Sequence, residues 1–312
     1  MRKILYIFGL FFFLSSCTIF KKNKYNDLVF KSRAERSHYI SAYNKSLALW
    51  KIPYSEEDVK TSFGTAHVIL SGPKDAPALV LLHGMNASST MWFPNIEALS
   101  KNRRVYAIDF LTEPGKSVSM GKTLSKEEIV LWYNEIFKHY KLNNFEIIGA
   151  SAGAWYGVLL AIQDDSKIKK LVLLGPAQTF ENIDERGKST PAILMKFFPS
   201  KKKWDKTLEN FSTDPKKIPM VFKRQSYLAY KTKIGSNFWK MQPFSNDELK
   251  KINIPVLVLT GDKDIINSES GHKKAKETLS NYKGEVIPNA GHFLTIDQKE
   301  IVNKKIIAFL GK

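Results

Sequence analysis

Phe145-Glu146-Ile147-Ile148-Gly149-Ala150-Ser151-Ala152-Gly153 is the stretch of this 312-residue chain that decides the fold. A β-rich run leads through small residues into an apolar helical pattern at 152–163, so the serine lies at a strand–turn–helix junction. Such a junction lifts a serine hydroxyl clear of the sheet edge, and bulk two residues before or after it would collide with its neighbours. The pattern predicts a nucleophilic Ser151; the alternative is an ordinary glycine-rich turn.

Strand and helix patterns alternate on both sides of this junction. Alternation of this kind favours an α/β fold with a mostly parallel sheet and helices on both faces. We expect strands at 67–70, 78–82, 104–108, 145–148, 168–174, 255–259 and 284–287. We expect helices at 90–101, 123–142, 152–163, 268–280 and 296–310.

The spacing is broken once, between the strand that ends at Leu174 and the strand that starts at Pro255. The gap is about 80 residues, which is too long for a structureless loop inside a compact domain. It mixes aromatic residues with many lysines. We therefore predict an inserted, largely helical cap at about 177–250, over the ends of the strands.

Two later strands are followed by side chains that could complete a catalytic site. The run at 256–259 leads into Thr260-Gly261-Asp262-Lys263-Asp264, and the last strand is followed by Gly291-His292. Serine is a weak nucleophile that needs a base and an acid that orients the base. Because sites in open α/β sheets form at the carboxyl ends of strands, we expect these groups to meet Ser151.

From about Thr61 to its C-terminus the chain resembles the α/β-hydrolases, in which nucleophile, acid and histidine follow one another in this order. The resemblance implies Ser151, Asp264 and His292 as the catalytic triad, with Asp262 as the second choice for the acid. Asp264 lies three residues after Gly261, as the acid of the family does.

The turn His83-Gly84-Met85 after the strand at 78–82 also resembles the family pattern. The resemblance implies an oxyanion hole made by the backbone N–H groups of Met85 and Ala152. Asp109 with Gly115 and Ser117 is similar to the family's loop after the next strand, although this loop is longer here.

The implied reaction is hydrolysis of a carboxylic ester, or a related acyl compound, through an acyl-enzyme and without a metal or organic cofactor. The segment 88–92, Ser-Ser-Thr-Met-Trp, resembles the same stretch in bacterial carboxylesterases, although it could simply start a helix. The alternatives are a thioesterase or carbon–carbon hydrolase of the same fold, or a non-catalytic membrane-anchored binding protein. The physiological substrate and the oligomeric state are not predicted.

The N-terminus has the pattern of an export signal. Arg2 and Lys3 precede an apolar run at 4–14, which is too short to span a bilayer. Leu14-Ser15-Ser16-Cys17 resembles the lipobox of bacterial lipoproteins, and Cys17 is the single cysteine of the chain. We expect a signal peptide at 1–16, a lipid on Cys17 and export to a bacterial membrane. The alternative is an ordinary cleaved signal with an incidental Cys17.

The net charge of +18 makes contact with anionic surfaces plausible but does not identify the partner. We expect a basic stem at 17–58, which either lies beside the bilayer or forms an amphipathic helix on the fold, followed by a hydrolase domain at 59–312. Nucleotide binding is not expected, because Lys116 and Phe110 stand where phosphate loops require glycine. Nucleic acid is not an expected partner of an exported lipoprotein.

Overall fold

A computed structural model describes residues 27–183, 200–233 and 241–311. The predicted signal peptide and Cys17 lie outside the described residues, as do parts of the predicted cap. The described strands are β1 Tyr54–Thr61, β2 Gly64–Ser71, β3 Ala78–Leu82, β4 Arg104–Ile108, β5 Val118–Ser119, β6 Phe145–Ala150, β7 Ile168–Leu174, β8 Val256–Gly261 and β9 Tyr282–Ile287.

The described helices lie between and around these strands. They are α1 Arg33–Leu47, α2 Ile96–Leu99, α3 Lys126–His139, α4 Ala152–Gln163, α5 Lys201–Phe211, α6 Met220–Lys231, α7 Asn246–Leu249, α8 Glu269–Thr278, α9 Leu294–Asp297 and α10 Lys299–Leu310. Two 3₁₀ turns, Ser89–Trp92 and Pro215–Lys217, complete the set.

One mixed sheet joins all of these strands in the order β1-β2-β4-β3-β6-β7-β8-β9, with β5 paired to β2. The pairs β1–β2, β2–β4 and β2–β5 are antiparallel, and the others are parallel. The mostly parallel sheet predicted from the alternating pattern is confirmed. The six strands joined by parallel pairs run the same way, so their carboxyl ends share one edge of the sheet. They are β4, β3, β6, β7, β8 and β9.

The central strands β3, β6 and β8 are buried on both faces, which explains their continuous apolar runs. In β3, Val80 and Leu82 belong to one core cluster, and Leu79 and Leu81 belong to the other. Helices α3, α4 and α8 contribute to the first cluster, whereas α1, α2 and α10 contribute to the second. Each strand residue therefore packs against one of two helical layers according to its parity.

The N-terminal helix α1 belongs to one of these layers. Its side chains Tyr39, Tyr43 and Leu47 are buried in the same cluster as the strand residues Leu79 and Leu81. For the described part of the predicted stem, the structure thus shows a helix that covers the fold, the second of the two alternatives. Strand β1 crosses the expected boundary at residue 58. The division of the chain into signal, stem and one capped domain remains a prediction.

Three elements differ from the expectation. The helix expected at 90–101 is a 3₁₀ turn followed by the short α2, with Pro94 between them; proline lacks the N–H that would continue the helix. Strand β1 was missed because five of its eight residues are exposed in succession, so it lacks an apolar alternation. The last helix begins at Lys299 after the separate turn of α9.

Between β7 and β8 the described residues form α5, the second 3₁₀ turn, α6 and α7. Helix α5 buries Trp204, Leu208 and Phe211, and it carries its lysines on the outside. Trp204 and Leu208 pack with Ile218, Phe222 and Ile296 in a small apolar cluster of their own.

A buried ion pair fixes one end of the central strand β6. Glu146 accepts a hydrogen bond from Arg103 Nε at 2.6 Å, and the two side chains are only 3% and 7% exposed. Arg103 Nη2 also donates to the Gly311 carbonyl oxygen at 2.9 Å, which joins the sheet to the C-terminus. Removal of one partner would leave a buried charge without compensation.

We therefore expect Glu146→Ala to lower the free energy of unfolding by about 3–5 kcal/mol, measured by urea titration. The control replaces both partners by apolar residues, Arg103→Met with Glu146→Leu, and should recover most of that loss. A loss below about 1 kcal/mol for Glu146→Ala, the value of an exposed pair, would contradict the assignment.

Candidate active site

Ser151 lies at the sharp turn between β6 and α4. Its backbone has φ 53° and ψ −116°, in the left-handed region that a residue with a side chain seldom adopts. The Ser151 N–H donates to the Leu174 carbonyl oxygen at 2.8 Å, which ties the turn to the end of β7. The surrounding structure thus holds a strained conformation in place, as at many functional sites.

The two flanking glycines allow this turn. A Cβ atom on Gly153 would lie 2.1 Å from the Leu82 carbonyl oxygen, and one on Gly149 would lie 2.3 Å from the Gly153 carbonyl oxygen. Both obstacles are backbone atoms of packed elements, so they cannot move aside. The collisions expected from the sequence are present, and the first turn of α4 packs directly against the end of β3.

His292 follows β9 and reaches back to Ser151. Its Nε2 atom lies 3.0 Å from Ser151 Oγ, and the side chain is 7% exposed. The imidazole packs edge-on against Phe211, with the ring centroids 5.7 Å apart. The nitrogen that faces the serine can therefore accept the hydroxyl proton if the other nitrogen carries a proton.

Asp264 faces that other nitrogen. Both of its carboxylate oxygens lie 3.1 Å from His292 Nδ1, and its side chain is fully buried. It also accepts hydrogen bonds from the Ile266 N–H at 2.8 Å and from Asn267 Nδ2 at 2.9 Å. Burial alone would raise the pKa of Asp264, but His292 and these donors outweigh it, so the pKa is lower than usual. The group is a carboxylate at neutral pH.

Asp262, the second choice for the acid, has a different environment. Its Oδ1 atom accepts a hydrogen bond from the Ala290 N–H at 3.1 Å, and its backbone N–H donates to the Ile287 carbonyl oxygen. Asp262 therefore holds the loop that carries His292 rather than the imidazole itself. The structure brings Asp264, and not Asp262, to the histidine.

The turn at His83–Met85 lies against the serine, since a Cβ on Gly84 would be 3.2 Å from Ser151 Cβ. Among the described residues, neither the Met85 nor the Ala152 backbone N–H has a hydrogen-bond acceptor. Ala152 is the first residue of α4, where backbone N–H groups are free to bind negative charge. Both amides predicted from the sequence are thus available beside Ser151.

His83 braces this turn as a neutral ring. Its Nε2 atom accepts a hydrogen bond from the Phe110 N–H at 2.8 Å, so its Nδ1 atom carries the proton given to the Gly84 carbonyl oxygen, also at 2.8 Å. Burial lowers the pKa of His83. This ring therefore fixes backbone geometry and is not available as a base.

The buried Asp109 side chain binds backbone N–H groups of two loops, one before it and one after it in the chain. Its Oδ1 atom accepts from the Ser89 N–H and its Oδ2 atom from the Lys116 N–H, both at 2.8 Å. Ser117 Oγ donates to the Asp109 carbonyl oxygen at 2.6 Å. The loop that resembles a family motif in the sequence is thus closed around Asp109 by hydrogen bonds.

Two residues near the turn at His83–Met85 were not identified from the sequence. Glu113 is buried and accepts a hydrogen bond from the Asn86 N–H at 2.8 Å, directly after Met85. Gln225 of α6 is buried as well, and its amide bonds to Ser88, Thr90 and Tyr39 at 2.9, 2.9 and 3.0 Å. Both act over long sequence separations, for which the sequence carries no local signal.

The described ranges contain no group of three or more His, Cys, Asp or Glu side chains that could hold a metal ion. What the site does contain is a hydroxyl, an imidazole and a carboxylate in one hydrogen-bonded chain, with two backbone N–H groups beside the hydroxyl. Such an arrangement can perform nucleophilic attack on a carbonyl carbon and stabilise the resulting oxyanion.

Residues 77–299 match the family model described as alpha/beta hydrolase fold. The carboxylesterase YbfK of Bacillus subtilis is 30% identical over 281 residues, which cover 87% of this chain and 93% of that protein. The crystal structure of naproxen esterase (carboxylesterase NP) from Bacillus subtilis has a TM-score of 0.82 at 29% identity and covers 88% of this chain and 97% of its own. The crystal structure of carboxylesterase CesB (YbfK) has a TM-score of 0.79 at 28% identity, with 89% and 98% covered.

The lowered pKa of Asp264 predicts how this site contributes to stability. A carboxyl group whose pKa is depressed in the folded state binds its proton more tightly when unfolded. Its contribution is complete above its ordinary pKa of 3.8 and is lost as the pH falls toward the lower folded value. Asp264→Asn cannot titrate, so the acid-induced loss of stability should be smaller in this variant than in the wild type.

The measurement is the urea midpoint of both proteins from pH 5 down to about pH 2, a range that spans the fall from the ordinary pKa of 3.8 toward the lower folded value. Asn267→Ala, which removes one donor to the carboxylate, serves as an intermediate control and should reduce the slope only in part. Parallel wild-type and Asp264→Asn profiles would show that Asp264 does not contribute to the pH dependence.

Proposed function

The chain belongs to the alpha/beta hydrolase fold family and is a carboxylesterase-like hydrolase, and from this premise we propose that Ser151, His292 and Asp264 form its catalytic triad. The reaction is hydrolysis of a carboxylic ester. The observation that carries the proposal is the hydrogen-bonded chain from Ser151 Oγ through His292 to the buried carboxylate.

In the first half-reaction, His292 Nε2 takes the proton of Ser151 as the serine oxygen bonds to the ester carbonyl carbon. Asp264 holds the ring in the required tautomer and stabilises its positive charge. The backbone N–H groups of Met85 and Ala152 donate to the oxyanion. When the carbon–oxygen bond to the leaving group breaks, His292 gives the proton to the departing alcohol, and an acyl-serine remains.

In the second half-reaction, water attacks the acyl-serine while His292 accepts its proton. The tetrahedral intermediate collapses, the carboxylic acid leaves and Ser151 regains its proton from His292. Each oxyanion donor of this kind typically lowers the barrier by about 2.7–4 kcal/mol. Apart from the ester and the water, every group that takes part in these two half-reactions belongs to the chain itself.

We further propose that the protein is exported and held at a bacterial membrane by a lipid on Cys17. The support is the cationic start, the short apolar run and the lone cysteine after small residues. Within the described ranges no helix combines the length and apolar character needed to cross a bilayer. The acyl chains of a lipidated cysteine would provide a durable anchor, because each buried methylene contributes about 0.8 kcal/mol.

Ser151→Ala should lower turnover of short p-nitrophenyl esters on the order of 10⁴–10⁶-fold while circular dichroism shows a folded protein. A fluorophosphonate probe should label the wild type and not the variant. The matched control is Ser37→Ala, on the exposed side of α1, which should keep full labelling. Labelling that persists in Ser151→Ala would disprove the nucleophile, and an unlabelled, inactive wild type would favour a binding protein or a hydrolase with another substrate class.

Cys17→Ser should abolish incorporation of an alkynyl fatty acid into the protein in bacterial cells, because Cys17 is the single thiol of the chain. Ser16→Ala keeps a small residue before the cysteine and should retain the label. Fatty-acid incorporation that survives Cys17→Ser would contradict lipidation at this residue. Turnover of a soluble ester is an independent readout, which should be the same in both variants.

A further inference from the structure

The outer side of helix α6 carries a continuous stripe of apolar and cationic side chains. At spacings of four, three and four residues, its members lie on one side of the helix. They are Met220, Arg224, Tyr227 and Lys231, which we call the cap stripe. The buried side chains of α6, on the opposite side, are Phe222, Gln225 and Ala229.

The chemistry of the cap stripe is that of a surface that meets a membrane. Met220 is 70% exposed, which is unusual for a large apolar side chain. The Lys231 ammonium lies 5.7 Å from the centroid of the Tyr227 ring, which is half-buried against the small apolar cluster, so a cation lies over an aromatic face at this end of the stripe. Apolar and aromatic groups interleaved with Arg and Lys suit the boundary between head groups and acyl chains.

The first described residues of the chain are bound at the end of this same stripe. The Lys233 N–H donates to the Val29 carbonyl oxygen at 2.8 Å, and Lys31 Nζ donates to the Lys231 carbonyl oxygen at 2.7 Å. Nine residues lie between Cys17 and Asp27, and the ten steps from one to the other span at most about 35 Å when fully extended. A lipid on Cys17 would therefore hold this end of α6 close to the bilayer.

The inner side of α6 faces the edge of the sheet where Ser151 lies. Gln225 Nε2 donates to Ser88 Oγ at 2.9 Å, and Phe222 packs on Phe93 with the ring centroids 5.2 Å apart. Ser88 and Phe93 follow the carboxyl end of β3, next to the turn that contains Met85. The first described residues, the cap stripe and the catalytic edge thus lie on one side of the molecule.

We propose that the cap stripe, together with the exposed Lys31 and Arg33, is a docking surface for an anionic lipid bilayer. It turns the catalytic edge of the sheet toward the membrane that carries the anchor. The proposal rests on the lipid anchor proposed above, and it names the second contact that fixes the orientation of the enzyme. Each cation near an anionic membrane surface increases binding roughly fivefold.

The test measures partitioning of the full chain onto lipid vesicles. All proteins carry Cys17→Ser, so that no acyl chain masks the contribution of the surface, and all share the same N-terminal residues. The test variant is Arg224→Gln with Lys231→Gln. The matched control is Lys167→Gln with Lys169→Gln, two exposed lysines at the amino end of β7, on the opposite edge of the sheet.

Both double variants remove two positive charges, so they differ only in where the charges lie. On vesicles in which about a third of the lipid is phosphatidylglycerol, we expect the test variant to bind roughly 25-fold more weakly than the Cys17→Ser parent. The control should stay within about twofold of the parent, because charges far from the surface are screened. On phosphatidylcholine vesicles the test variant and the parent should bind equally.

Equal losses in the two double variants would overturn the proposal, because net charge rather than this surface would then drive binding. Unchanged binding of the test variant would overturn it as well. If the test variant bound heparin more weakly but bound vesicles as the parent does, the stripe would be a site for an anionic polymer and not for lipid. The assay needs no turnover, so its result stands or fails independently of the esterase assignment and can be repeated with Ser151→Ala.

Discussion

The close approach of α4 to the end of β3 is the constraint on which the rest of the site depends. A Cβ atom on Gly153 would be 2.1 Å from the Leu82 carbonyl oxygen, so this contact exists only because the residue has no side chain. It places the strained Ser151 beside the turn that follows β3, and hence beside the Met85 amide. A second contact of the same kind, between Gly261 and the Ala290 carbonyl oxygen, holds the loop that presents His292 next to the end of β8. Backbone packing at one edge of the sheet thus sets the positions from which the side chains of the site extend.

Buried charge inside this fold is tolerated because each of three buried carboxylates has partners. Asp264 loses water on burial, and three donors around it compensate so fully that its pKa falls. Asp109 receives two backbone N–H groups, and Glu146 receives Arg103. A buried carboxylate without such partners would cost several kcal/mol and would take up a proton instead. The orientation of His292 therefore depends on donors that lie outside the reacting groups.

Whether a feature could be predicted from the sequence depends on how far apart its interacting residues lie along the chain. The turn at Ser151 was predictable, because its glycines and its strand and helix are neighbours in the chain. Asp264 required the resemblance to a family to be preferred over Asp262, since the difference lies in which of them reaches His292 across 28 residues. Strand β1 was missed because its exposed, acidic residues show no alternation. Gln225 could not be found, because its partners Ser88 and Tyr39 lie 137 and 186 residues away along the chain.

Helix α6 connects the interior of the protein with its surface, because its two sides have different partners. On the inner side, the buried amide of Gln225 joins α6 to α1 and to the segment that follows the turn at His83–Met85. An unpaired amide there would cost about 1–3 kcal/mol. Helix α6 is therefore joined to residues 88–90 by buried hydrogen bonds. On the outer side, a stripe of cations and apolar groups continues to Lys231, whose carbonyl oxygen accepts a hydrogen bond from Lys31. A force applied to the outer side, such as adhesion to a charged surface, would thus act on the same element that supports the turn around Met85.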